Sequence, residues 1–302
     1  MIPDAAAEFP LTGPIDLQII LGVLRRGGPG DRTIRIEPRQ AWRASRTPEG
    51  PATLRLDLTL QTMLAQAWGP GAGWAVTAAP RLVGLDDDPV SFHPGHKLLA
   101  EIHRRHAGLR LGQTAAVFEA IVPTVLEQKV PSVEARAAYA ALIRALGEPA
   151  PGDGGLMLPP SPRRLLTTPY WALHRFGIER RKADIIHNAA AVAHRLEEIV
   201  GMGASEARRR LLSVPGIGPW SASEIAAVAL GDRDAVSVGD YNLPHVVSWA
   251  LAGEPRGTDA RMLELLEPYR GHRARVIRLL AAAGIMAPRF GPRMPLRRFA
   301  AR

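Results

Sequence analysis

The chain of 302 residues contains no cysteine. That absence excludes disulfides, thiolate zinc sites and cysteine-ligated iron–sulfur clusters. Long apolar runs are missing too: no window approaches the roughly 18 uninterrupted apolar residues of a membrane helix. No signal peptide is expected either, because the opening MIPDAAAEFPLTGP carries acids where a secretory signal is basic. These absences leave a cytoplasmic protein with no membrane partner as the default expectation.

What is present fits an ordinary globular protein, with 46% hydrophobic and 22% charged residues. The length suits one large domain or two medium ones. Lys and Arg number 38 against 29 acids, a net charge of +9. Such an excess favours polyanionic partners, nucleic acid first among them. The richness in Ala, Arg, Gly and Pro also fits a high-GC genome, so charge alone leaves both explanations open.

Two textures follow one another along the chain. TIRIEP (33–38) and ATLRLDLTL (52–60) alternate apolar and polar residues, with Leu54, Leu56, Leu58 and Leu60 on one strand face. WAVTAAP (74–80) reads as a third strand, GGPGD and GPGAG as turns, and IDLQIILGVLRR as a helix. Residues 1–92 are therefore expected to form a mixed α+β domain with a small antiparallel sheet. From 93 to 288 the pattern is helical throughout, and a basic, mobile tail is expected at 289–302. In AAVFEAIVPTVLEQKV, Val117, Phe118, Ile121, Val122, Val125 and Leu126 form a helical apolar stripe, with Pro123 expected to kink it or to mark an irregular turn. Ser132 is expected to cap the next helix and Gly147 to end it. GEPAPGDGGLMLPPSP reads as a loop, and ERRKADIIHNAAAVAHRLEEI as one helix.

The most informative stretch is VPGIGPWSA, 214–222, between two helical runs. Gly216 and Gly218 can take positive φ, and Pro219 suits the first position of the second helix. Free amides at Gly216, Ile217 and Gly218, with that helix N-terminus, form a possible phosphate clamp. A plain αα-hairpin with no ligand would look the same. Downstream, VSVGDY delivers Asp240, 22 residues after Gly218 (240 minus 218). Taken alone, that aspartate would read as the N-cap of the helix that follows.

A helix–turn–helix clamp followed at this spacing by V-x-V-G-D-Y resembles the helix-hairpin-helix DNA glycosylase superfamily, with the AlkA-like 3-methyladenine DNA glycosylase II group nearest. FEAIVPTVLEQKV, the RKADII helix, LLSVPGIGPWSA and EPYRGHRARVIRLL occur in the matching order. The resemblance implies an α+β N-terminal domain followed by an all-α glycosylase domain. Its activity would be hydrolysis of the N-glycosidic bond of damaged or alkylated purines in double-stranded DNA, with the protein acting as a monomer. A non-catalytic DNA-binding protein with the same hairpin is the alternative.

The resemblance also assigns residues. Asp240 would be the catalytic carboxylate, stabilising a sugar cation or orienting water. Gly216, Ile217, Gly218 and Ser221, with Ser223 as a further candidate, would hold a DNA phosphate. Gln128 and Lys129 would approach the DNA opposite the flipped base, although a solvated helix end is an equal reading of both. A lysine at 129 stands where a hydrophobic wedge is usual. Arg273, with Arg270 and Arg275, would track the backbone or simply form a solvated basic face. Trp220, Glu224 and Tyr241 would line the base pocket, Glu224 standing where relatives often have an aromatic. The helix of RVIRLLAAAG supplies no aromatic at all. Trp220 occupies the position of the Schiff-base lysine of bifunctional members, so lyase chemistry by that lysine is not expected. No cofactor is required, but carbonyls of Ser213, Val214 and Ile217 are candidates for a monovalent cation, Na+ or K+.

Overall fold

The computed structural model describes residues 1–288; the basic tail lies outside the described residues. β1 (Ala5–Pro10), β2 (Ile34–Ile36), β3 (Gln40–Thr47), β4 (Gly50–Leu58) and β5 (Thr62–Trp68) form one antiparallel sheet in the order β1-β5-β4-β3-β2. α1 (Leu17–Leu21) and α2 (Ala72–Leu82) share its apolar core with Leu54, Leu56, Met63 and Ala65. Of the four leucines expected on one face, Leu54 and Leu56 are buried, while Leu60 lies past the strand end and is 89% exposed.

WAVTAAP is helical rather than a strand: it lies within α2. Ala72, Ala75, Val76, Ala79 and Leu82 are buried, and only over the full element does their helical spacing outweigh the local alternation. β1, β3 and β5 are alanine-bearing strands with little intrinsic β preference, and cross-strand pairing decides them.

Helices dominate thereafter: α3 (Lys97–Arg105), α4 (Val117–Glu127), α5 (Ser132–Leu146), α6 (Pro162–Leu166), α7 (Tyr170–His174), α8 (Arg180–Ala191) and α9 (Ala193–Glu197). α10 (Ala204–Leu212), α11 (Pro219–Ile225), α12 (Leu243–Ala252), α13 (Asp259–Leu266) and α14 (Arg273–Ala282) complete the described chain. The long run expected as one helix breaks at Val192 into α8 and α9.

Two helical cores result. α4 is central to one, its predicted stripe wholly buried against α5, α8, α9 and α11. The helix continues through Pro123. At its start the Glu197 carboxylate accepts the N–H groups of Val117 and Phe118, both at 2.8 Å, answering two of the amides a helix N-terminus leaves open. Ser132 is the first helical residue of α5, not its cap; Pro131 precedes it and no side chain caps the end. Gly147 does follow the last turn. The other core joins α3 to α12, α13 and α14.

The segment expected as a Pro/Gly loop carries a two-stranded ribbon, β6 (Glu148–Pro149) with β7 (Met157–Leu158). Leu156 and Leu158 cover the stacked Trp42 and Trp68 rings, 5.4 Å apart, so this linker is part of the sheet's outer packing. No described helix is long and apolar enough to cross a membrane.

Candidate active site

The hairpin runs from α10 through residues 213–218 into α11, which continues as a π-helical turn, Ala226–Leu230, and ends at Gly231 with φ +64°. Its two glycines have different reasons. Gly216 has φ +92°, and a Cβ there would overlap Cγ1 and Cδ1 of Ile185 on α8. Gly218 is extended, with φ −94°, rather than left-handed; it precedes Pro219 as the helix N-cap, and a Cβ there would face open space. The first glycine is set by packing. The second leaves bare backbone toward solvent.

Gln128 ends α4 against the hairpin: its Nε2 donates to the Gly216 carbonyl at 3.1 Å and to Ser221 Oγ at 2.9 Å. Ser221 and Ser223 are each 2% exposed, and Ser223 Oγ accepts from Arg208, so neither hydroxyl lies on the surface a phosphate would reach. Ile217 is buried as the turn's hydrophobic anchor. The Val214 carbonyl accepts the Ile217 N–H at 3.0 Å, and the Ser213 hydroxyl donates to the Arg210 carbonyl.

Asp240 lies on the loop between Gly231 and α12. Its Oδ1 accepts the backbone N–H groups of Asn242 and Leu243, each at 2.8 Å. Its Oδ2 accepts the Trp220 indole N–H at 3.0 Å. One oxygen thus serves the start of α12 as a cap would, while the other ties the loop to the first turn of α11. Gly239, with φ +89°, donates to the Asp259 carboxylate and fixes the bend just before Asp240.

One turn further along α11, Glu224 accepts from the Ser237 hydroxyl. Burial pushes its carboxyl above the usual carboxylate range, aided by the like charges of Glu127 and Asp240 and opposed by Ser237 and Arg26. Arg26 pairs with Glu127 at 2.8 Å. Arg278 of α14 donates to the Ile19 carbonyl at 2.8 Å. Burial and the like charge of Arg26 lower its pKa to about 10, against the pull of Glu224. Trp220, Glu224 and Asp240 are thus brought together, joined by Arg26, Glu127, Ser237 and Arg278, which sequence reasoning did not single out.

Other expected residues lie elsewhere. The Tyr241 ring is 82% exposed, edge-on to His245 at 6.4 Å, and walls no enclosed space. Arg273 is held in a bidentate pair with Asp234, which also accepts the Gly271 N–H, so its guanidinium is committed within the protein. Arg275 is fully buried on Asp87, and Arg270 pairs with Glu267. No free basic face therefore forms from these three arginines. Lys129 is exposed at the turn after α4, in the left-handed region with φ +54°. A cavity of about 640 Å³ is lined by Arg208, Ser223, Ala226, Arg233 and Asp234, and Asp240 is not among its lining residues.

No protein-family model matches the chain. It is 30% identical over 173 residues to a Mycobacterium tuberculosis protein named "Probable bifunctional transcriptional activator/DNA repair enzyme AlkA", over 56% of this chain. That match spans only about a third of the relative's length, 35%. It is 26% identical over 216 residues to the Escherichia coli K12 DNA-3-methyladenine glycosylase 2, covering 71% of this chain and 74% of that one. The solved structure of a 3-methyladenine DNA glycosylase from Archaeoglobus fulgidus superposes with a TM-score of 0.77 at 21% identity, over 91% of this chain and 96% of that one. In sequence and in fold, the chain resembles the helix-hairpin-helix DNA glycosylase superfamily and, within it, the AlkA-like 3-methyladenine DNA glycosylase II group.

Proposed function

We propose that the protein is a monofunctional DNA glycosylase of base excision repair, acting as a monomer on double-stranded DNA that contains damaged purines. The observation that carries this reading is Asp240, whose two oxygens are fixed from the hairpin and from α12. A damaged base inside the stack is out of reach, so the enzyme extrudes the nucleotide, at a few kcal/mol for the lost stacking and pairing. The hairpin amides at Gly216 and Gly218 anchor a phosphate without reading sequence, whereas the Ile217 amide, expected to join them, is already donated to the Val214 carbonyl. The open space at Gly218 supports a close backbone approach there.

Cleavage leaves positive charge on the sugar. A carboxylate held near the anomeric carbon stabilises that cation or orients the attacking water, and its donors keep it in place with no reorganisation during the step. Trp220 provides one such donor and fills the position where a lyase would hold lysine. That residue, in the position the family resemblance gives to the lysine, supports hydrolysis without Schiff-base chemistry. A monovalent cation, Na+ or K+, fits the oxygen donors of the turn: the Val214 carbonyl has a second lone pair beside the Ile217 N–H it accepts. With Ser213 and Ile217 it would hold that ion and add positive charge beside the phosphate.

The test incubates the protein with duplexes carrying 7-methylguanine, 3-methyladenine, hypoxanthine or ethenoadenine, then cleaves abasic sites with alkali. Strand breaks above an Asp240→Asn control are expected for at least one lesion. Binding with no breaks would replace the enzyme by a non-catalytic reader of bent or damaged duplex.

A further inference from the structure

Between Ser161 and Lys182 the chain carries Arg163, Arg164, Arg175, Arg180, Arg181 and Lys182 against one acid, Glu179. All five arginines are exposed, and Arg163, Arg164, Arg175 and Arg181 form no ion pair within 4.0 Å among the described residues. Arg180 meets Asp184 at 3.9 Å with both side chains well exposed, so that pair contributes little. Amid these charges α7 buries Leu173 and packs Tyr170 on the helical core, yet leaves Trp171 63% exposed. The Arg175 guanidinium lies 5.6 Å from the Trp171 ring centroid, and that of Arg180 lies 5.7 Å from the Tyr170 centroid.

This patch adjoins the hairpin. Lys182 is buried and donates to the Leu126 carbonyl at 2.7 Å, in the last turn of α4, just before the Gln128 that bonds Gly216 and Ser221. Ile185, which a Cβ at Gly216 would strike, stands five residues after Arg180 on α8, about 7.5 Å along the helix axis. α6 and α7 pack on that same helix. A strand held at the hairpin therefore reaches Arg180 and Arg181 within about two or three nucleotide spacings of roughly 3.4 Å.

We infer that α7 and the adjoining ends of α6 and α8 form a second DNA-binding surface, which takes an unpaired strand leaving the duplex beside the hairpin. Trp171 stacks a base of that strand, and the five arginines hold its phosphates. The inference rests on the hairpin as the duplex contact, and it makes a duplex with a single-stranded junction the preferred substrate. Exposed arginines alone would serve either form of DNA, so the indole decides between them. A duplex keeps its bases stacked inside and offers an outward ring only sugar and phosphate. An unpaired base offers a π-face, and stacking it on an aromatic side chain tightens binding by about fivefold or more. Arg175 over the ring adds cation–π attraction while its planar N–H fork remains able to meet a phosphate. Such a platform tolerates any sequence, as an enzyme that searches for damage requires.

The experiment measures, by fluorescence anisotropy, affinity for a blunt duplex carrying a tetrahydrofuran abasic analogue. The same duplex is then given a 3′ or a 5′ single-stranded extension of about ten nucleotides. One of the two extensions should tighten binding about fivefold or more. Trp171→Ala should abolish that gain and leave blunt-duplex affinity unchanged, whereas Trp171→Phe, which retains a ring, should keep most of it. Arg175→Gln combined with Arg180→Gln should reduce the gain and make the dependence of log Kd on log salt shallower for the extended duplex. Thermal melting checks the fold of each variant; the exposure of Trp171 predicts an unchanged midpoint. Equal affinity for the blunt and both extended duplexes overturns the inference, as does a gain that survives Trp171→Ala. Base release from a blunt lesion duplex is measured alongside. Release with no gain from either extension overturns this inference alone. A Trp171-dependent gain with no release of any lesion overturns the glycosylase reading and leaves the second surface standing.

Discussion

Gly216 and Gly218 stand two residues apart and answer to different constraints. Gly216→Ala places a methyl against Ile185 at a left-handed φ of +92°. Stability is expected to fall by about 2 kcal/mol or more, read as a lower midpoint in urea unfolding. Gly218→Ala meets no neighbour. It should leave stability within roughly 0.5 kcal/mol and weaken binding to duplex DNA, as measured by fluorescence anisotropy. Equal loss of stability in both variants would refute this division. The pair was legible in the sequence as a turn, because Gly and Pro punctuate a chain locally. Which glycine answered to packing was not, because Ile185 lies on a helix outside the motif.

Glu224 gives a second prediction at this scale. Its carboxyl titrates above the ordinary 4.5 in the folded protein, chiefly through burial. The folded state therefore holds a proton that the unfolded chain has already released. The corresponding stability is fully present below the unfolded pKa and is lost as pH rises toward the raised folded value. Glu224→Gln cannot ionise and should remove this loss. Its stability relative to wild type is expected to improve as pH rises above 4.5 in chemical denaturation, and a constant difference would contradict the assignment. The position was visible in the sequence as an acid where relatives often have a ring. Its partners were not, since Arg26 and Glu127 meet across 101 residues of chain and Arg278 comes from a third segment.

Among the elements, α4 shows how a buried helix depends on one distant side chain. Its first amides meet the Glu197 carboxylate, and its last residues meet the hairpin through Gln128. Glu197→Ala leaves two N–H groups without that partner and should cost about 1–3 kcal/mol, seen as a lower melting temperature. An unchanged melting temperature would mean that water replaces the carboxylate freely. The apolar stripe of α4 was readable because Val117, Ile121 and Val125 recur at helical spacing. The α2 helix was misread because WAVTAAP is too short a window to separate periods of two and of 3.6. The ribbon of β6 and β7 escaped because two-residue strands in a Pro/Gly segment carry no periodic signal of their own.

Across the whole molecule, the net charge of +9 predicted a polyanionic partner, yet several arginines are consumed internally. Arg43 pairs with Glu119, Arg275 with Asp87 and Arg273 with Asp234. Each such pair removes one acid with each base, so the excess of nine positive charges resides on other lysines and arginines, and the hairpin amides are one part of the proposed phosphate contact. Affinity for duplex DNA should still fall linearly in log Kd against log salt. Arg273→Gln, which removes a group already bound to Asp234, should leave that slope unchanged. A shallower slope in the variant would mean that Arg273 leaves Asp234 for a phosphate.

The central claim is that Asp240 acts on the sugar and is not needed to hold DNA. Single-turnover base release and duplex affinity, measured together on wild type and Asp240→Asn, test it most directly. Release should fall by about a hundredfold or more, while affinity for the abasic-analogue duplex stays within a factor of about three, since Asn keeps one acceptor oxygen for the α12 amides and the proposed DNA contacts lie on the hairpin. Unchanged release, or a loss of affinity as large as the loss of release, would contradict the account.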